Sequence, residues 1–509
     1  MKSFLTDQRA SGILAHLTSL PSPHGIGDMG VAASHFLDFL QEAGQRYYQF
    51  LPTGPTNPTF DNSPYMSSSA FAGSPLLISP EGLVKDKLLL QEDLSGPTFS
   101  DFLVNYDLVT TFKQSLLKRA FNAFTPAADY HHFIRQSEWL DDYALFMALK
   151  EKYAQSHWTD WPTKIARRDP ATIASLHDTL KEQIDYYYFE QYIFFRQCRL
   201  FRQEAKKRKI KLIGDIPIYV SADSADVWAN QKIFCLDSQT LHPTHVAGVP
   251  PDYFSETGQR WGNPLYQWQT TDPIIRKQLL SWWKQRFQHT FQLVDVARID
   301  HFRGFADYWS IPADETTAIN GKWLPGPGKG FFDTISAELG DLPIIAEDLG
   351  LITPEVIKLR DNLNFPGMKI LQFGFDGDPN NPFLPHTYTT TNCVVYTGTH
   401  DNDTCLGWFL DETMNDAQRS RIKEYVNGHH HDLSPIHQDM IYLAMSSIGA
   451  LAVHPLQDIL GYGNDCKMNT PGTSHGNWRW RCPPHALTAE VARSLRKMSQ
   501  LWGRIGDEK

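Results

Sequence analysis

The 509-residue sequence has no run of about 18 consecutive apolar residues, and its first seven residues lack the apolar segment of a signal peptide. We therefore expect no membrane-spanning helix, and we expect a cytoplasmic protein. It has only six cysteines, which occur without C-x-x-C pairs or zinc-like clusters. Because a chain of this size does not need covalent cross-links, the cysteines are interpreted as reduced thiols.

Basic charge is also scarce. The net charge is −10, and the short basic run at 206–209 has the pattern of a solvated helix face. A nucleic-acid or anionic-membrane partner is therefore not expected. The glycine-rich segment 326–330 lacks the glycine spacing and the hydroxyl residue of a phosphate-binding loop, and the histidine run 429–431 lacks the companion ligands of a metal site. These absences predict a protein without a nucleotide cofactor or a metal.

Aromatic residues, by contrast, are abundant. They make up 13 % of the chain and include 14 tryptophans. Sugar rings present apolar C–H faces that stack on aromatic planes, so this composition is consistent with a carbohydrate site, although aromatic residues also fill cores. The hydrophobic content of 41 % and the charged content of 20 % are typical of globular proteins and exclude a disordered chain.

Eight short apolar runs, several of which end in a polar residue, predict the strands of a parallel barrel. The runs are 13–17, 47–51, 211–220, 293–299, 343–346, 368–373, 393–396 and 449–453. Segments with helical periodicity, such as 31–43, 272–288, 354–363 and 416–426, lie between them. This alternation predicts an α/β fold, a (β/α)8 TIM barrel.

The uneven spacing of these runs predicts insertions in the barrel. Roughly 160 residues separate the second run from the third, which is far more than a βαβ crossover needs, and the periodic segments 141–153 and 180–206 make this insertion mainly helical. Residues 226–270 are aromatic and rich in glycine and proline, which predicts a long loop near an active site. The predicted parts are the first part of the barrel at 1–80, a helical inserted subdomain at 81–205, barrel strand 3 at 206–225, an aromatic loop insertion over the cleft at 226–280 and the remainder of the barrel at 281–509.

The fourth run carries a candidate nucleophile. Arg298 and Asp300 are two residues apart and share one face of the predicted strand, so the guanidinium can keep the carboxylate ionised and oriented. A carboxylate held in this state suits attack on the anomeric carbon of a sugar. The alternative is a structural Arg–Asp pair at a strand end.

The fifth run ends at Glu347, a candidate general acid. Glycoside chemistry needs two carboxyl groups in different protonation states, and a Glu at a partly apolar strand end can stay protonated. A helix N-cap formed by Glu347 and Asp348 is the alternative.

The seventh run is followed by His400 and Asp401, which could hold vicinal sugar hydroxyls, and the third run contains Asp215. A structural His–Asp pair is the alternative for the former. Since barrel active sites form at the carboxyl ends of the strands, the carboxylates of the third, fourth, fifth and seventh runs are expected to share one site.

These four segments resemble the four short motifs of the α-amylase superfamily, and the remainder of the chain resembles its amylomaltase branch, the 4-α-glucanotransferases or disproportionating enzymes. The branch resemblance rests on segments 11–14, 18–21, 62–65, 248–259, 261–264, 366–369 and 468–473 and covers nearly the whole chain. It implies that Asp300 is the nucleophile, that Glu347 is the acid/base, and that Asp401 binds and distorts the sugar. It also implies the absence of a C-terminal β-sandwich.

The resemblance implies α-1,4-glucan oligosaccharides as substrates, with glucose as a possible acceptor, in a monomer or weak homo-oligomer that has no cofactor. Substrate-binding roles are expected for Arg298, His400, Tyr65, Ser63, Asp215, Asp252, Tyr253, Gln259, Trp261, Phe373 and Asn469. Tyr65 would stack on the donor sugar, and the loop from Asp252 to Trp261 would cover the cleft. An α-1,4-glucan hydrolase and a non-catalytic glycan-binding protein remain as alternatives, and the aromatic insertion favours transfer because it would exclude water.

Overall fold

The computed structural model describes residues 3–5, 8–251, 255–427 and 435–505. In chain order the strands are β1 (Ala10–Leu14), β2 (Tyr47–Gln49), β3 (Lys211–Pro217), β4 (His245–Val249), β5 (Gln259–Pro264), β6 (Val296–Asp300), β7 (Asp307–Pro312), β8 (Lys322–Pro325), β9 (Ile344–Ala346), β10 (Gly367–Ile370), β11 (Cys393–Tyr396) and β12 (Leu451–Pro455). They form two sheets, one of eight strands and one of four.

The larger sheet is a parallel barrel. Its strand order is β10-β11-β12-β1-β2-β3-β6-β9, and a backbone hydrogen bond from Ala346 N–H to the Pro366 carbonyl, 2.9 Å long, closes the seam between β9 and the start of β10. Each of the eight predicted runs overlaps one of these strands, which confirms the TIM-barrel prediction. Most residues of these strands are apolar on both faces, because the barrel interior covers one face and the surrounding helices cover the other.

The strand register brings the predicted site residues side by side. In the β3–β6 pair, Asp215 lies opposite Arg298 and Pro217 lies opposite Asp300. In the β6–β9 pair, Ile299 lies opposite Ala346, so Glu347 leaves β9 next to the end of β6. Parallel pairing therefore delivers these carboxylates to the same end of the barrel.

Helices surround the barrel and fill the insertion between β2 and β3. They are α1 (Val31–Glu42), α2 (Pro80–Lys85), α3 (Tyr106–Ala123), α4 (Ala128–Gln136), α5 (Leu140–Lys152), α6 (Thr163–Ala166), α7 (Pro170–Thr179), α8 (Lys181–Lys207), α9 (Ala225–Ala229), α10 (Pro273–Leu293), α11 (Gly328–Leu339), α12 (Pro354–Asn362), α13 (Cys405–Leu410), α14 (Asp416–Asn427), α15 (Ile436–Ser446), α16 (Leu456–Leu460) and α17 (Ala489–Leu501). Local signals begin several of them: Asn105 accepts from Leu108 N–H at the start of α3, and Asp169 caps α7 ahead of Pro170. None of the described helices is both long and apolar enough to cross a membrane.

The second sheet is antiparallel, with the order β5-β4-β7-β8. The sequence predicts a long loop at 226–270, whereas the structure has the strands β4 and β5 there. Their partner β7 lies at Asp307–Pro312, after β6, so the pairing that makes these residues strands is invisible within the segment itself. The sheet places Trp261 of β5 at the carboxyl end of the barrel strands, where its ring contacts the ring of His301.

The described residues after β12 form helices and loops and contain no β-sandwich. The fully buried Arg504, which follows α17, donates hydrogen bonds to the carbonyls of Ala10 and Gly449 at the amino ends of β1 and β12. The region of α17 is thereby anchored to the end of the barrel opposite Asp215, Asp300 and Glu347.

Candidate active site

Arg298 connects two of the predicted carboxylates. Its Nη1 lies 2.6 Å from Asp215 Oδ2 and its Nη2 lies 3.0 Å from Asp300 Oδ1. Burial opposes the charge of Arg298, but the carboxylates of Asp215 and Asp300 outweigh it and raise the guanidinium pKa. The Arg298 side chain is 4 % exposed and that of Asp300 is 32 % exposed, so a buried arginine positions the partly exposed Asp300 carboxylate.

Asp215 has a different position from Asp300. Its side chain has no exposed surface and is paired with Arg298. The hydroxyl of Tyr65 donates a hydrogen bond to Asp215 Oδ2 at 2.8 Å. A buried carboxylate that loses its cation is strongly unfavourable.

We expect Arg298→Met to lower the free energy of unfolding by about 3–5 kcal/mol, because Asp215 would remain buried without its guanidinium. Urea denaturation of the purified variant measures this loss. The double variant Arg298→Met/Asp215→Asn should be less destabilised than the single one, since its buried amide carries no charge. Equal stability of the two variants would contradict this description of the pair.

Tyr65 joins the third-strand and seventh-strand sides of the site. Its hydroxyl lies 2.9 Å from His400 Nε2, and because that hydroxyl donates to Asp215, the His400 nitrogen must donate in this contact. The rings of Tyr65 and His400 are stacked with their centroids 5.3 Å apart, and the Ser63 hydroxyl accepts from Tyr65 N–H. The Tyr65 ring and hydroxyl are thus held in place by contacts with Ser63, Asp215 and His400.

Asp401 is the most exposed of the three predicted catalytic carboxylates. Its side chain is 45 % exposed, its Oδ2 lies 3.3 Å from His400 Nε2, and its Oδ1 accepts from Asn469 Nδ2 at 2.7 Å. These contacts fix the carboxylate from both sides while leaving it open to a ligand.

Glu347 lies in a contrasting environment. Burial raises its pKa to about 7, the Asp300 charge adds to this effect, and Arg298 opposes it. Its Oε2 accepts from His301 N–H at 2.6 Å and its Oε1 accepts from Leu349 N–H at 2.9 Å. Unlike Asp300, it has no described ion pair with an arginine or lysine. Asp300 is therefore paired with an arginine, whereas Glu347 can carry a proton near neutral pH.

Of the remaining predicted residues, Trp261 contacts a neighbour of the carboxylates, whereas Phe373 does not. Trp261 donates from Nε1 to Gln259 Oε1 at 3.1 Å, and its ring meets that of His301 edge to face with 4.9 Å between centroids. Phe373, which is 36 % exposed, packs edge-on against Phe383 and makes no described contact with the carboxylate network. Asp252 and Tyr253 lie outside the described residues.

Sequence reasoning missed the role of three neighbours. His301 shapes the turn after Asp300, Asp348 accepts from Met368 N–H across the barrel seam, and the Met368 sulfur accepts from Arg298 Nε at 3.4 Å. Only the position of His301 next to the candidate nucleophile could have signalled it. No group of three metal-binding side chains occurs among the described residues, and the histidine run 429–431 lies outside them.

The chain is similar to known proteins of one family over nearly its whole length. The sequence profile described as 4-alpha-glucanotransferase matches residues 15–488. A 4-alpha-glucanotransferase of Synechocystis sp. is 48 % identical, with 98 % of this chain and 99 % of that protein covered. One from Thermus thermophilus is 44 % identical over the same shares of the two chains. The solved structure of the amylomaltase from Streptococcus agalactiae in complex with acarbose superposes with a TM-score of 0.92 at 37 % identity, covering 98 % of this chain and 100 % of that one.

Proposed function

The chain belongs to the 4-alpha-glucanotransferase family and is an enzyme that transfers glucan segments, and we propose that it does so with retention of configuration through a glycosyl ester on Asp300. The observation that carries the mechanism is the contrast between two neighbouring carboxyl groups. Asp300 is paired with Arg298, whereas burial raises the pKa of Glu347 to about 7. A nucleophile and a proton donor are the two groups that a retaining reaction needs.

In the first step, Asp300 attacks the anomeric carbon of an α-1,4-linked donor and the bond to the leaving oxygen breaks. Glu347 gives its proton to that oxygen, so the shortened glucan leaves as an alcohol and Glu347 becomes ionised. In the second step, Glu347 takes the proton from the incoming hydroxyl of an acceptor sugar, which displaces Asp300 from the anomeric carbon. Two inversions restore the α configuration.

We assign the donor sugar to the side of the cleft formed by Asp401, His400 and Asn469. His400 and Asn469 contact the two oxygens of Asp401. The carboxylate and these two side chains together offer hydrogen-bond partners to vicinal sugar hydroxyls. Tyr65 and Asp215 position Arg298 and His400 around this sugar. The acarbose in the Streptococcus agalactiae structure is a ligand of that protein, and the 98 % coverage of this chain supports maltodextrins as substrates here.

Transfer instead of hydrolysis requires a positioned acceptor. A sugar held in line with the ester can have an effective concentration of many molar, enough to compete with roughly 55 M water. Trp261, on a strand outside the barrel, is the aromatic platform that we assign to this acceptor. We also propose a cytoplasmic location, which the six free cysteines of the structure support.

With maltotriose as the sole substrate, we expect glucose and a ladder of longer maltodextrins, with little rise in total reducing ends. The leaving glucan keeps the reducing end of the donor, and the anomeric carbon of the transferred segment passes from Asp300 to an acceptor hydroxyl, so transfer leaves the number of reducing ends unchanged and only hydrolysis raises it. Chromatography of the products together with a reducing-end assay measures both quantities. Reducing ends that rise in step with glucose would identify a hydrolase instead.

A further inference from the structure

His301 has an unusual backbone conformation for its residue type. Its φ of 54° and ψ of 50° lie in the left-handed region, at the junction between β6 and the 3-10 helix Phe302–Phe305. A non-glycine residue there is strained, and such strain persists only where the surroundings enforce it, often at functional sites. Here the strained residue directly follows Asp300.

This turn directs consecutive backbone N–H groups at Glu347. His301 N–H donates to the Glu347 Oε2 at 2.6 Å, and Phe302 N–H donates to the Glu347 carbonyl at 3.1 Å. A strand continued in the extended conformation would alternate the direction of these groups. The left-handed residue therefore fixes both the main chain and the carboxyl group of Glu347.

The imidazole of His301 contacts the second sheet. It meets Trp261 edge to face, with 4.9 Å between ring centroids and an interplanar angle of 88°, and it lies 6.5 Å from the ring of Tyr219. Its Nε2 is buried and has no hydrogen-bond partner in the described part of the chain. Burial lowers the imidazole pKa to about 4, so the ring is neutral and acts as a packing surface.

We propose that His301 is a positioning residue that couples the two halves of transfer: its backbone orients Glu347, and its ring orients Trp261 on the acceptor side of the cleft. The acceptor occupies the side from which the leaving group departs, because the same Glu347 serves both. Trp261 contacts the residue whose N–H holds Glu347, which places the tryptophan on that side. This inference rests on the proposed function, since it names the residue that selects an acceptor sugar over water.

Substitutions can separate the two contributions. Asn and Gly both accept a positive φ, so His301→Asn and His301→Gly should keep the N–H bond to Glu347 and lose only the ring. Both variants are expected to raise the Michaelis constant for glucose as acceptor and the hydrolysed fraction of the products about two- to tenfold, the value of an edge-to-face aromatic contact. Their pH profiles should match the wild type.

His301→Val should have a different effect, because a β-branched residue at positive φ forces the turn to relax. With the N–H bond to the charged carboxylate weakened, the pKa of Glu347 rises, and the falling limb of kcat/KM against pH should move up by about half to one pH unit. The charged groups that face Glu347 are Arg298 and Asp300. Those that face His301 are Asp300, Arg303 and Asp307. None of these groups is changed in the three variants.

The experiment measures donor turnover, glucose affinity, hydrolysed fraction and pH profile for the wild type and the three variants, with folding checked by circular dichroism. Wild-type acceptor selection in His301→Asn and His301→Gly would overturn the side-chain role. The backbone role would be overturned if the falling limb of kcat/KM against pH in folded His301→Val coincided with that of the wild type. It would also be overturned if this limb moved equally in His301→Asn. Failure of the proposed function is separate, since the wild type would then show no transfer in the same assay.

Discussion

Asp300→Asn should fold like the wild type and turn over maltotriose at least about a thousandfold more slowly. An amide has the shape of the carboxylate but cannot form a stable ester with the anomeric carbon. Folding should survive because the Asp300 side chain is 32 % exposed, and the buried partner of Arg298, Asp215, remains in place. Product formation over several hours, together with thermal unfolding of the variant, measures both expectations.

Asp333→Asn is the matched control for the same chemical change. Asp333 lies on the exposed side of α11, where it pairs with Lys329, and its side chain is 52 % exposed. Loss of such a surface pair is expected to change stability by less than about 1 kcal/mol and to leave turnover unchanged. Near-normal activity of Asp300→Asn would remove Asp300 from the role of nucleophile.

Glu347→Gln should also lose at least about a thousandfold in turnover of maltotriose, because neither leaving group nor acceptor can then exchange a proton with the enzyme. The wild type should lose kcat/KM as the pH rises through about 7, since we assign the acid of the first step to the protonated form of Glu347. This limb should be missing from the profile of Glu347→Gln, because an amide does not titrate there.

A donor whose leaving group needs no proton distinguishes loss of the acid from loss of the fold. Fluoride leaves without a proton, so Glu347→Gln should still react with an α-maltosyl fluoride and release fluoride in a burst. Deglycosylation by a sugar acceptor would remain slow, because the base is missing. If this variant is equally inactive toward maltotriose and the fluoride, although folded, Glu347 does not act as the acid of the first step.

The barrel could be predicted from the sequence because its strands are short apolar runs with buried surroundings on both faces. Val394 and Val395 of β11, for example, have no exposed surface, and a run of this kind needs no knowledge of its partners. Strand ends were less accurate: the first predicted run extends to residue 17, whereas β1 ends at Leu14 and residues 17–19 form a 3-10 helix. Strand length follows from pairing with both neighbours, which the local sequence does not reveal.

The candidate site was predictable to the extent that it lies at strand ends. The register of β3 and β6 places Asp215 beside Arg298, and the pattern of alternation predicts that Arg298 and Asp300 share a face. The second sheet could not be predicted, because β4 pairs with β7 from a distant segment. The left-handed turn at His301 was also invisible, since glycine, the usual marker of such a conformation, is absent from that position.

A covalent ester on Asp300 can be detected by mass spectrometry of the trapped intermediate. Glu347→Gln is mixed with α-maltosyl fluoride, quenched in acid and digested with pepsin. The peptide that contains Asp300 should gain the mass of one maltosyl group, with the label on Asp300 in the fragment spectrum, and Asp300→Asn/Glu347→Gln should gain none. A label on Asp401 or another carboxylate, or fluoride release without any labelled peptide, would show that Asp300 does not form the ester.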